Sequence, residues 1–128
     1  MEWWGRYIGI PFRDGGRDRS ACDCWGLVRL IYRDELGIDL PDGTGYAHVR
    51  DGEGISRICD SLLLDWYPIV GKPRPFDVPL FRLAKGCAHV GVMIDGVRMV
   101  HAAQGKDSCV EPCFHLGHPT FYRHREIG

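Results

Sequence analysis

The sequence predicts an α+β domain, with helices in the first half and an antiparallel sheet in the second. Three observations predict it. Apolar residues recur at helical spacing over residues 23–36 and 55–66. After Pro68 the pattern changes to short runs of strand type. The length, 128 residues, suits one domain spanning 1–128.

Each element has its own reason. Trp3, Trp4 and Tyr7 suggest a short helix packed on the domain. Pro11 to Ala21 is rich in Gly and Arg and reads as a loop. A helix should begin near Asp23, a good N-cap type, and run to about Leu36, where Gly37 stops it. Arg29 and Arg33 form its one narrow wet stripe, so this helix is expected to be central and largely buried. Pro41 to Gly54 is dense in Gly and Asp and reads as loop. A second helix is expected over Ile55 to Trp66, where Ile55, Ile58, Cys59, Leu62 and Leu63 form its stripe. Strands are expected at Val78–Leu83, Cys87–Ile94, Val97–Ala102, near Cys109–Val110, and at Phe121–His124.

The run His89 to Ile94 and the run Val97 to His101 flank Asp95-Gly96. A two-residue turn would place His89 and His101 on opposite faces of the hairpin. A three-residue loop pairs residue 93 with 97 and 89 with 101, with Cβ atoms about 5 Å apart. The second register is preferred, because it makes one strand face chemically coherent. Gly91 would lie on that face and leave room for another element to approach.

Composition excludes several function classes. The formal net charge is −1, which argues against nucleic-acid binding through bulk charge. The longest apolar runs are a few residues, so no membrane insertion is expected. The opening residues lack the pattern of a signal peptide, so synthesis in the cytoplasm with reduced thiols is expected. Six cysteines are present, but their spacing does not form a zinc ribbon, and no metal or other cofactor is expected. His115 and His118 fall in a Gly- and Pro-bearing segment and read as an exposed turn.

Three residues can make a thiol nucleophile. Cys24 falls in the first turn of a helix, where free N–H groups and the helix dipole favour a thiolate and can receive an oxyanion. His89 is placed to act as base and His101 to orient it. The same trio as zinc ligands is the weaker reading, because no carboxylate base is evident.

Asp23-Cys24-Trp25-Gly26-Leu27-Val28 resembles the Asp-Cys-Ser-Gly-Leu/Phe-Val motif of the NlpC-type cell-wall cysteine peptidases. His89-Val90-Gly91-Val92 resembles their His-Val-Gly-Ile segment, and Val100-His101-Ala102 their Val/Ile-His-Ala. The segments Tyr7–Gly16, Gly37–Pro41 and Phe76–Phe81 are similar to family segments in the same order, so the match covers about Tyr7 to Ala103. The resemblance implies a papain-like fold and cleavage of peptidoglycan stem peptides, typically at the D-γ-glutamyl–diamino-acid bond. It implies Cys24 as nucleophile, His89 as general base and His101 as third catalytic residue. Asp23 matches the family residue that helps bind the substrate's amino end, with a plain N-cap as the equal alternative.

Two positions depart from the family pattern. Trp25 replaces the usual Ser and looks like the tail-assembly branch of tailed phages and prophages. Phe12 stands where many members carry a Tyr beside the active site. Trp25, Phe12 and Gly91 join Asp23 as candidate substrate contacts. The implied setting is a phage tail particle acting at the cell wall, with tail-tip proteins as partners. The alternatives are a low-activity tail-tip component that keeps the fold, a papain-like amidase toxin, or an acyl transferase.

Overall fold

The computed structural model describes residues 2–41, 64–82 and 88–128. Cys59, Cys87 and His48 lie outside the described residues, as does most of the helix expected over Ile55–Trp66. Leu64 and Asp65 are helical, and Trp66 already belongs to a strand.

The central helix α1 spans Cys24–Ile31 and continues through a π turn at Tyr32–Leu36. Gly37, at φ 68°, ends it in the left-handed conformation, as the sequence indicated. Seven of its eight residues are buried, Arg29 being the partial exception. Arg29 Nε donates to the Leu40 carbonyl at 3.0 Å, which ties the segment after the helix back onto it.

Nine strands lie among the described residues. Arg17–Asp18 (β1) and Ala21–Cys22 (β2) form a small hairpin inside what the sequence suggested was loop. Four strands form one antiparallel sheet in the order Trp66–Ile69 (β3), Thr120–His124 (β9), Val78–Arg82 (β4), Ala88–Val90 (β5). Three form another: Val92–Met93 (β6), Arg98–His101 (β7), Cys109–Pro112 (β8). The strand expected over Cys87–Ile94 is therefore broken at Gly91, where the chain leaves one sheet for the other.

Helix α1 packs against β1, β2, β5 and β7, and the main core lies between helix and sheets. Phe81, Met93, Met99 and Cys113 form a second, smaller cluster. The N-terminal turn Trp3–Tyr7 is a 3-10 helix that buries Tyr7. Trp3 stacks on Phe76 with centroids 4.4 Å apart. Phe76 holds a φ of 74°, a conformation that costs a side-chain-bearing residue about 1–3 kcal/mol. Stacking on Trp3 and a hydrogen bond from the Tyr32 hydroxyl to the Phe76 carbonyl hold it there.

The hairpin register differs from the expected one. Val92 pairs with Val100 and Met93 with Met99, leaving Asp95–Val97 as the loop. The Asp95 carboxylate causes the shift. Its Oδ1 accepts from the Val97 and Arg98 N–H groups at 2.8 and 2.7 Å, which moves the three-residue loop one position along the chain. His89 and His101 are consequently offset along the hairpin rather than directly opposite. Their ring nitrogens still meet at 2.8 Å, although the break at Gly91 places His89 in one sheet and His101 in the other.

Candidate active site

Asp23 starts α1. Its Oδ1 accepts from the Gly26 N–H at 2.8 Å, and its Oδ2 from the Gly15 N–H at 2.9 Å. Arg17 Nη1 meets Oδ1 at 2.7 Å. Asp23 is fully buried, and both carboxylate oxygens are engaged within the chain. The N-cap role is therefore the one the geometry displays. Gly26 is required beside it, since a Cβ there would stand 2.0 Å from the Gly16 carbonyl oxygen.

Cys24 follows as the first helical residue and is 3% exposed. The sequence suggested a thiol with a lowered pKa. The structure reverses that expectation: burial, with the Asp23 charge, pushes the thiol up to about 12. The N–H groups of Val90 and Trp25 do act on the sulfur in the expected direction, but burial outweighs them. The Val90 amide also places the sulfur next to the strand that carries His89.

His89 Nε2 lies 2.8 Å from His101 Nδ1, with the rings nearly perpendicular. Burial, reinforced by the neighbouring His101, lowers His89 to about 3. Burial lowers His101 as well, against the pull of the Glu111 carboxylate. At rest the Cys24 thiol at the start of α1 and the imidazoles on β5 and β7 are therefore neutral.

Glu111, which the sequence reading did not single out, stands behind His101. Its Oε2 is 3.1 Å from His101 Nε2 and 3.0 Å from Lys106 Nζ. Burial works to raise its pKa, but the hydrogen bonds from His101 and Lys106 prevail and hold it at about 2. A carboxylate only accepts, so His101 carries its proton on Nε2. His101 Nδ1 must then accept from His89 Nε2–H. His89 Nδ1 is left with its lone pair free to take a proton. The residue pattern predicts a strand near Cys109 but not its register. The pairing of His101 with Cys109 across β7 and β8 is what aligns Glu111, two residues further on the same face.

Gly91 sits against the third residue. A Cβ there would lie 3.0 Å from the Val100 carbonyl oxygen and 3.1 Å from His101 Cβ. It makes room for His101 itself. Trp25, expected as a substrate contact, is instead fully buried and donates its indole N–H to the Pro41 carbonyl at 2.9 Å. Phe12 is half-buried, packs on the main core and bridges to Cys22. Cys22 is fully buried, and burial pushes its thiol up to about 12. His115 and His118 are exposed, as expected.

The model of the NlpC/P60 family matches residues 9–115. The murein DD-endopeptidase MepS/murein LD-carboxypeptidase of Escherichia coli K12 is 29% identical over 103 residues, 80% of this chain and 47% of that protein. Protein P54 of Enterococcus faecium is 28% identical over 99 residues, 77% of this chain and 16% of its own length. The chain thus spans about half or less of these curated relatives. Among solved structures, the NlpC/p60 domain of the peptidoglycan hydrolase SagA superposes with a TM-score of 0.68 at 26% identity, covering 91% of this chain and 88% of that one. A Staphylococcus aureus protein of the same family, 20% identical, shares the fold with a TM-score of 0.57 over 93% of this chain and 38% of its own. With the family pattern running through most of its length and the same fold in a solved family domain, this chain belongs to the NlpC/P60 family.

Proposed function

We propose that the chain is a cysteine peptidase that cleaves peptidoglycan stem peptides, at the D-γ-glutamyl–diamino-acid bond. The observation that carries the reading is the 2.8 Å hydrogen bond from His89 to His101 on the strand beside the Cys24 sulfur. Relatives named as murein endopeptidases support the substrate class.

In this reading Cys24 Sγ attacks the scissile carbonyl while His89 Nδ1 takes the thiol proton. The imidazolium so formed is stabilised through His101 by the Glu111 carboxylate. N–H groups at the start of α1 face the developing oxyanion. His89 returns the proton to the leaving amine, and water then hydrolyses the thioester. The resting pair is neutral, so His89 works as a general base during attack rather than as half of a standing ion pair. Asp23, buried and engaged as the N-cap, supports the start of α1 in this reading, and Phe12 and Gly91 are the proposed substrate contacts.

Incubating murein stem peptides with wild type and with Cys24→Ala, followed by mass spectrometry, tests it. Cleavage at the glutamyl–diamino-acid bond by wild type alone is expected. Absence of cleavage by a folded, alkylatable wild type would refute the substrate.

A second reading is a phage or prophage tail-tip component with little activity. Trp25 and Phe12 in place of the family's hydroxyl-bearing residues favour it, as does a nucleophile only 3% exposed. It predicts binding to tail-tip proteins that Cys24→Ala leaves intact and no cleavage by wild type.

A further inference from the structure

We propose that His101, Cys109 and Glu111 form a binding site for one divalent transition-metal ion of zinc's class, and that its occupation shuts off the peptidase. The strand register builds the site. His101 and Cys109 are direct cross-strand partners on β7 and β8, and Glu111 follows Cys109 on the same face. The three donor atoms already form a compact triangle. Cys109 Sγ is 3.7 Å from His101 Nε2 and 3.5 Å from Glu111 Oε2, and His101 Nε2 is 3.1 Å from Glu111 Oε2. Ligand bonds of about 2.0–2.3 Å around one tetrahedral zinc place neighbouring donors about 3.3–3.6 Å apart. The three edges therefore fit around one ion with only small side-chain shifts.

The donor set is one imidazole nitrogen, one thiol sulfur and one carboxylate oxygen, which selects a borderline ion over calcium or magnesium. His101 is buried and oriented by His89, as a metal-bound imidazole usually is by its outer partner. Cys109 and Glu111 are half-buried, so the fourth position opens to water. On binding, the Cys109 thiol releases its proton to solvent. Lys106 Nζ, now 3.0 Å from the same Glu111 oxygen, leaves for solvent, its side chain being half exposed.

The inhibitory half rests on the peptidase reading. A metal on His101 Nε2 displaces the proton from that nitrogen to Nδ1. His101 then donates to His89 Nε2, and the single proton of neutral His89 moves to Nδ1. That nitrogen is the one required to accept from Cys24. The same ring therefore transmits opposite instructions: Glu111 alone arms His89, and a metal on Glu111, Cys109 and His101 disarms it.

Cobalt(II) titration of the whole chain is the test, because a cobalt–thiolate band reports on sulfur ligation without any substrate. One ion per chain with such a band is expected in wild type and in Cys24→Ala. Cys109→Ser is expected to lose the band, and Glu111→Gln to weaken binding by about 100-fold or more. A band lost in Cys24→Ala but kept in Cys109→Ser would overturn the site by moving the metal to the nucleophile. No band in wild type would overturn it too. One equivalent of zinc should remove most stem-peptide cleavage by wild type, reversibly with chelator. The rate of Cys109→Ser, referred to its own metal-free value, should respond far less. Full-rate cleavage by the zinc-loaded wild type would overturn the inhibitory half alone. If metal-free wild type cleaves no stem peptide, the peptidase reading and the inhibitory half fall together, and the cobalt spectra decide the site.

Discussion

His89 Nε2 and His101 Nδ1 face each other at 2.8 Å although the two residues are not cross-strand partners. Gly91, between them in the hairpin, allows it. The chain bends there from one sheet to the other, and without a Cβ it lets the His101 side chain in. The geometry of the imidazole pair thus depends on a residue that has no functional group.

Gly91→Ala should accordingly damage activity more than stability. The new methyl would press on His101 Cβ and the Val100 carbonyl at about 3 Å. Overpacking of this kind costs about 1–3 kcal/mol in a folded core. Thermal unfolding should show a folded variant, while kcat for stem-peptide cleavage drops and KM changes little. Wild-type kcat in a destabilised variant would refute the coupling.

Glu111→Gln should lower kcat by up to about 100-fold, since it removes the charge that fixes the ring protons. Nitrogen-15 spectra of the histidine rings offer a second reading that a merely structural role would not move. Wild type should carry protons on Nε2 of both His89 and His101. The variant should show mixed tautomers at His101.

The reactivity of Cys24 should climb steadily with pH. Its thiol is pushed up to about 12 by burial, so below that value the thiolate fraction grows about tenfold per pH unit. Alkylation rates measured by mass spectrometry between roughly pH 6 and 9 should show no plateau. A plateau near neutrality would mean a standing thiolate–imidazolium pair.

Stability should fall on the acid side. Burial lowers the pKa of His89, His101 and His124 in the folded chain. Below the ordinary histidine value of about 6.5 the unfolded chain binds more protons than the folded one. The midpoint of thermal unfolding should therefore drop progressively as the pH falls through 6.5 towards the folded value of about 3 for His89. His89→Gln should flatten that dependence.

Arg17→Met should destabilise the chain by about 3 kcal/mol, because it removes the guanidinium 2.7 Å from the buried Asp23 carboxylate. The cost stays at the lower end of the range for broken buried pairs, since the Gly26 and Gly15 N–H groups still hold the carboxylate. Denaturant unfolding measures it. A loss under about 0.5 kcal/mol would mean that the pair is exposed in solution.

Much was legible in the residues themselves. The N-cap at Asp23, the buried face of α1 and its stop at Gly37 are local matters, set by capping chemistry and helical period. The α+β order was readable for the same reason: periods of 3.6 and 2 survive without knowledge of the partner. The ordered Cys24, His89 and His101 pattern, and with it the family, also stands in the sequence alone.

Contacts across strands and through the core did not. The Asp95 carboxylate caps its own turn and shifts the hairpin register by two residues, an outcome a turn dipeptide does not specify. Arg17 and Asp23 make a hairpin and a helix start share one buried charge pair, inside a segment that reads as loop. Trp25 is drawn into the core by its bulk and by the Pro41 carbonyl, away from any substrate. Cys24 has the helix position of an activated thiol, yet its titration follows the low-polarity surroundings that only packing creates. Glu111 became visible only when β8 was placed beside β7, because strand pairing joins residues far apart in the chain and no local pattern encodes the partner.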